Sequence, residues 1–228
     1  MREQITFDGP AASGKSTLAK NVAKQLGAFF INTGDMYRTL TWSIRQRGIN
    51  IATEKQKIVD LLDIVNICYN LDDGEPVLFC EGKKVDQAEI RCHVITENVS
   101  LVASIPEVRH WLVARQRASA DLGLLVMEGR DIGTVVFPQA RYKFFVTASP
   151  EVRAKRRLSQ NGEVPEGATI EKVARDIARR DEQDMNRSIS PLKQADDAIY
   201  VDTSEMNIEE ATAMIIRVVK EKQNAVHA

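Results

Sequence analysis

The string Gly9-Pro10-Ala11-Ala12-Ser13-Gly14-Lys15-Ser16, with Thr17 after it, constrains the fold of this chain more than any other segment. Its two glycines, lysine and hydroxyl stand at the spacing of a phosphate-binding P-loop. Gly9 and Gly14 allow a tight backbone path on which successive N–H groups point inward at an anion. A helix beginning at Lys15 adds its positive dipole end. Such a loop works between a buried strand and a helix, and both flanks have that pattern. Gln4–Asp8 alternates as a strand does, while Leu18, Ala19, Val22, Ala23 and Leu26 recur at helical spacing over 15–26. Ala28–Ile31 reads as the next strand. Strand, turn, helix, strand is the opening of a parallel α/β sheet. In this setting Lys15 reaches the β- and γ-phosphates of a nucleoside triphosphate, and the Ser16 hydroxyl binds Mg²⁺.

The rest of the chain continues the pattern with one change of texture. Tyr37, Leu40 and Ile44 share a face of a helix expected from about 36 to 47. Thr53 and Gln56 have capping-box spacing for a helix reaching Val65. From Val65 to Val85, short apolar runs alternate with Asn70-Leu71-Asp72-Asp73-Gly74 and Glu81-Gly82-Lys83-Lys84, which predicts a small antiparallel insertion. Helices are expected over 94–102 and 106–120, and buried strands over 124–127 and 142–146. Ser149-Pro150 supplies a cap and a first helical residue. A loop over 161–168 precedes a long helix over 169–186. A last strand over 198–201 and a final helix capped by Asn207 and Glu210 follow. The fold class is therefore α/β, a P-loop architecture with a central parallel sheet flanked by helices. Trp42 and Trp111 fall in helical segments as core residues, and His227 falls in a frayed tail.

Composition removes other classes. The 31 basic and 32 acidic residues leave a net charge of −1, unlike a protein that binds nucleic acid mainly by neutralising phosphates. No apolar run approaches a bilayer span, and the polar opening Met1–Gln4 lacks signal-peptide character. Cys68, Cys80 and Cys92 form no zinc-ligand pattern, and unpaired thiols fit a reducing cytoplasm. The Asp-x-x-Gly and Asn-Lys-x-Asp strings of switch GTPases do not occur.

Arginine narrows the chemistry. Of 18 arginines, seven lie between 153 and 187. Arg153 and Arg157 are four apart, and Arg180, Asp184 and Arg187 fall at i, i+4 and i+7, so each set shares a helix face. Arg130-Asp131 follows the predicted strand over 124–127, where α/β sheets place ligands. Transfer of a phosphoryl group to another phosphate needs positive charge around both phosphates and the migrating group, and planar, always-charged guanidinium suits that role.

Five strings together resemble the bacterial cytidylate kinases of the nucleoside monophosphate kinase family, across nearly the whole length. They are Asp8–Thr17, Thr33-Gly34-Asp35-Met36-Tyr37-Arg38, Gly129-Arg130-Asp131-Ile132-Gly133-Thr134, Arg153-Ala154-Lys155-Arg156-Arg157, and Arg180–Arg187 with Ser190-Pro191-Leu192. The resemblance implies transfer from ATP to CMP or dCMP with Mg²⁺. It also implies one kinase domain, with a core over about 1–35, 87–150 and 190–228. A monophosphate-binding region occupies about 36–86 and a lid about 153–168. Gly9 to Thr17 then hold the ATP phosphates. Thr33 is a CMP-binding residue, Arg38, Arg130 and Arg180 sit at the acceptor phosphate, Ser100, Arg109 and Asp131 at cytosine, Asp184 and Arg187 at the ribose. Arg153 and Arg157 are lid arginines, one near adenine and one near the transferring phosphate. Lys15, Arg130, Arg153, Arg157 and Arg180 form the catalytic set, and Glu128 holds Mg²⁺ through water beside Ser16. A carboxylate such as Asp131 accepts from the cytosine amino group and opposes the carbonyl of uracil. The expected protein is a cytoplasmic monomer.

Two points stay open on the sequence. The Ser100 hydroxyl either reads the base or bonds its own helix. Asp35 departs from the family's alanine: it is either an outward helix cap or an inward charge that opposes acceptor binding. Rival readings are a kinase for another acceptor and a nucleotide-dependent binding module for RNA.

Overall fold

The computed structural model describes residues 3–160 and 163–227. The chain runs β1 (Gln4–Asp8), α1 (Lys15–Leu26), β2 (Phe29–Asn32), α2 (Thr33–Gln46), α3 (Lys55–Leu62), β3 (Ile67–Asp72), β4 (Glu75–Cys80), β5 (Lys83–Lys84), α4 (Gln87–Ile90), α5 (His93–Ala103) and α6 (Pro106–Ala118). After a 3-10 turn, Ser119–Leu122, come β6 (Leu125–Gly129), a π-helical turn (Ile132–Val136), β7 (Tyr142–Thr147), α7 (Pro150–Leu158), α8 (Ile170–Met185), β8 (Ile199–Asp202) and α9 (Ile208–His227).

The central sheet is parallel throughout, in the order β2-β6-β1-β7-β8. Its inner strands β1, β6 and β7 are largely buried on both faces, as strands inside parallel sheets are, while the edge strand β8 exposes Tyr200 and Asp202. Ile5 and Phe7 of β1 face α1 and α9 with Leu18, Val22, Phe144, Val201 and Ile215. On the other side Ile31, Leu125, Met127 and Val113 close a second cluster with the π-helical turn. β1 and β6 end side by side, with Asp8 opposite Gly129, so the loops after both strands open on one edge. Gly9 turns the chain with φ 149°, and a Cβ there would lie 2.0 Å from the Val146 carbonyl oxygen. No other residue fits this close approach of two backbones.

The expected insertion is the antiparallel sheet β3-β4-β5. Asp73-Gly74 and Glu81-Gly82 make its two-residue turns with positive φ at each position, as tight hairpins require. The sheet joins α2, α3, α5 and α6 around Leu40, Ile44, Ile58, Ile67, Val102 and Leu112. Trp42 and Trp111 pack at its margin, in line with a core role.

Several local expectations need correction. Helix α2 begins at Thr33 rather than near 36, because the Asn32 side chain accepts the Asp35 amide at 3.3 Å and caps it. Thr53 caps nothing. Glu54 precedes α3 and its carboxylate instead accepts the Asn50 amide, and the helix stops at Leu62, short of Val65. The 3-10 turn takes over the last part of the helix expected to reach 120. The caps by Ser149 and the Asn207–Glu210 pair form as expected, and Thr169, expected as the first residue of a helix, instead caps α8 by accepting the Lys172 amide. Helix α9 carries its backbone through His227, where a frayed tail was expected. In the loop expected over 161–168, Asn161 and Gly162 lie outside the described residues, and 163–169 is irregular.

Candidate active site

The phosphate-binding loop, the end of β6 and residues of α2, α5 and α8 enclose one cleft of about 140 Å³. Its walls include Ser13–Thr17, Arg38, Arg109, Glu128–Asp131, Arg157, Arg180, Asp184 and Arg187. Segments far apart in sequence converge here because the strand ends meet at this edge. Gly129 lets them approach: a Cβ there would stand 2.6 Å from the Thr33 hydroxyl, which donates to the Glu128 carbonyl at 2.8 Å.

The loop is braced from both sides. Lys15 Nζ donates to the Pro10 carbonyl at 2.9 Å. The Ala11 amide donates to Asp181 Oδ1 at 2.9 Å, and Arg153 donates to both the Ala11 carbonyl and Asp181. Arg156 donates to the Ser13 carbonyl at 3.0 Å and to Thr203. Arg153 therefore holds loop backbone here. Its four-residue neighbour Arg157 lines the cleft.

Asp8, at the end of β1, accepts the amides of Ile132 and Gly133 at 2.7 Å each and so fixes the turn carrying Arg130 and Asp131. Burial pushes this carboxyl up to about 7, against the two amide donors. At the far wall Asp131 Oδ2 accepts from Arg109 at 2.5 Å, and both side chains are buried. Arg109 also lies over the Tyr37 ring at 5.6 Å. Arg130 donates to Asp184 at 2.9 Å, and Arg187 lies 3.5 Å from the same carboxylate, beyond the end of α8. Ser100 faces the cleft, and among the described residues its hydroxyl makes no hydrogen bond.

Positive charge exceeds its local counter-charge. Burial, and then Arg130, lower Lys15 to about 7. Burial, and then neighbouring arginines, lower Arg38 to about 10 and Arg157 and Arg180 to about 9. The Nε of Arg109, Arg180 and Arg187 are buried with no hydrogen-bond partner among the described residues. Such a cluster stabilises a multivalent anion.

Asp35 takes the inward course. It is 6% exposed and pairs with Arg91 at 2.5 Å, so its charge is neutralised locally and Asn32 serves as the cap. Arg91, Glu163, Asp181, Arg156 and Asp8 are residues that sequence reasoning did not assign to the site. Arg156 lay within the matched Arg153–Arg157 string. Asp8 opened the first matched string and Asp181 lay in the last. Arg91 and Glu163 carried no local signal.

The donor set fits Mg²⁺. Ser16 is exposed at the start of α1 and Glu128 is the penultimate residue of β6, and both line the same cleft. One hydroxyl and one carboxylate suit an ion that keeps several waters and takes its other oxygens from phosphates. No helix among the described residues is long and apolar enough to cross a membrane.

Comparison with known proteins agrees with this geometry. The cytidylate kinase family model matches residues 5–221. A cytidylate kinase from Streptococcus suis (strain 05ZYH33) is 45% identical over 218 residues, covering 96% of each chain. One from Geobacillus sp. (strain WCH70) is 44% identical over 219 residues, covering 96% of this chain and 97% of its own. The crystal structure of an uncharacterised protein from Eubacterium ventriosum shares the fold alone, with a TM-score of 0.52 at 11% identity, covering 97% of this chain and 99% of that one. The P-loop braced at the sheet edge, the crowded arginines and the buried Arg109–Asp131 pair are thus features of a chain that belongs to the cytidylate kinase family.

Proposed function

We propose that this protein transfers the γ-phosphoryl group of ATP to CMP or dCMP, giving ADP and the nucleoside diphosphate. The observation that carries the reading is the shared cleft: the phosphate-binding loop, the excess of buried arginine and an Arg109–Asp131 pair line a single space. Gly9–Thr17 hold the ATP phosphates through backbone amides, with Lys15 on the β- and γ-phosphates. Thr33, Arg38, Arg130 and Arg180 hold the acceptor phosphate in line with the γ-phosphate, and Arg157 lies across the migrating group. Phosphoryl transfer has little covalent chemistry for the protein to do, so placement and charge supply the catalysis. Ser16 directly and Glu128 through water hold Mg²⁺, which supplies charge neutralisation to the triphosphate. Asp184 and Arg187 contact the ribose. Arg153 acts on the loop backbone and positions it.

Asp131 is held as a carboxylate acceptor by Arg109, so it takes a hydrogen bond from the cytosine amino group and opposes the uracil carbonyl. Ser100 has the exposure for base contact. The segment over 153–168 serves as the lid, which closes to exclude water from a γ-phosphate that would otherwise hydrolyse. The near-neutral charge supports a small-molecule acceptor over nucleic acid. The three free thiols support a cytoplasmic setting, and the protein acts as a monomer. The substitution Asp131→Asn tests the base assignment. The ratio of kcat/KM for CMP over UMP should fall by about tenfold or more, the scale of one mispaired buried polar group. An unchanged ratio removes Asp131 from base reading.

A further inference from the structure

One carboxylate from the irregular segment after α7 stands against Arg38 of the acceptor site and two neighbouring cleft arginines. Glu163 Oε2 lies 3.1 Å from Arg38 and is also paired with Arg157, while Oε1 lies 3.4 Å from Arg91. The three guanidinium groups come from α2, the end of α4 and α7, and the Glu163 side chain is only 5% exposed. A loop residue rarely becomes this buried and this heavily paired without a reason in the site. We infer that Glu163 is a built-in substitute for the acceptor phosphate. It ties Arg38, Arg91 and Arg157 together in the acceptor-free enzyme, and CMP must displace it in order to bind. This rests on the acceptor-site reading given above and adds to it a competitor within the chain.

Charge and shape favour that exchange. A carboxylate brings one negative charge and two oxygens to three guanidinium groups. A phosphate monoester brings nearly two charges and three terminal oxygens, with better fork geometry for arginine. The arginines remain short of anion with Glu163 in place, since burial and mutual repulsion hold Arg38 and Arg157 below their ordinary range. Space points the same way. The inner cleft of about 140 Å³ is small beside the ~300 Å³ or more of most ligand sites. A second cleft of about 620 Å³ between α5 and α8 adjoins it, and Glu163 lines both. Glu163 also neutralises Arg157, the arginine proposed for the migrating group. ATP bound without an acceptor therefore lacks that charge, which slows its hydrolysis to ADP and inorganic phosphate.

The substitution Glu163→Gln keeps the size and removes the charge. If the latch is closed for about 70–90% of the acceptor-free population, its loss lowers the CMP dissociation constant by about three- to tenfold. Acceptor-free ATP hydrolysis should rise in the same variant. Titration calorimetry with CMP and a coupled ADP assay without acceptor read the two effects, with thermal melting as the folding control. Weaker or unchanged CMP binding together with unchanged hydrolysis overturns the latch and leaves Glu163 as a structural anchor. If the variant fails to fold, amide exchange over 163–168 in the wild type decides: CMP alone should speed it, and slowed or unaltered exchange overturns the proposal. The hydrolysis measurement needs no acceptor, so it tests the latch even if the wild type phosphorylates some other monophosphate.

Discussion

Lys15 is the residue at which burial and function meet most directly. Burial lowers its pKa from 10.5 to about 7, and the Arg130 charge adds to the shift. A group depressed in the folded protein is mostly neutral at pH 8, and triphosphate binding restores its ordinary value. Nucleotide binding at pH 8 should therefore draw in up to about one proton per site. Calorimetric titration with ATP in buffers of different ionisation enthalpy measures this uptake, and heats independent of buffer contradict it. At this scale the P-loop residues, Arg130, Asp131 and Asp184 were legible, because each lies in a contiguous motif whose spacing carries the chemistry. Asp35 was legible only as a departure. Its direction depended on Arg91, 56 positions away, and on Asn32 already filling the cap. Glu163 was invisible because nothing near it in sequence foretells three arginines from other elements.

At the scale of elements, α7 and α8 act as a brace on the phosphate-binding loop as well as a wall of the cleft. Asp181 of α8 takes the Ala11 amide, and the Arg153 charge from α7 joins both. Ala11, Ala154, Val173 and Ile177 form the apolar seam beneath this contact. Asp181→Ala leaves the buried Ala11 amide without its acceptor and the Arg153 guanidinium with only the Ala11 carbonyl, at a cost of about 1–3 kcal/mol. The KM for ATP should rise about tenfold more than the KM for CMP, read by steady-state kinetics with each substrate varied, the scale of about 1.4 kcal/mol acting on the loop alone. Equal changes in the two constants contradict a brace specific to the loop. Elements with a strong period or a side-chain cap could be read from the sequence, including β1, α1, the hairpin and the caps at Ser149 and Asn207. The π-helical turn at 132–136 could not, since Asp8 shapes it across a separation of 124 residues. Helix α4 was missed because four residues carry no periodicity, although Asp86 caps it.

The molecule as a whole is nearly neutral, yet it concentrates uncompensated positive charge in one cleft at the edge of its sheet. Net charge argued against a nucleic-acid surface, and the local excess argues for small anions held in a buried site. The fold was readable because the P-loop admits few architectures and the hydrophobic pattern of the longer elements agreed with it. The site was readable to the extent that its residues lie in the matched strings. The braces and the proposed latch arise only when the chain closes on itself. The most direct test of the central claim is ADP production from Mg²⁺-ATP with CMP, dCMP, UMP, AMP and GMP supplied in turn. Turnover that is strong with CMP and dCMP and weak with the others is the expected result. Equal or greater turnover with another monophosphate contradicts the assignment of Asp131 and Arg109 to cytosine, and folded, ATP-binding protein that transfers to none of them contradicts the kinase itself.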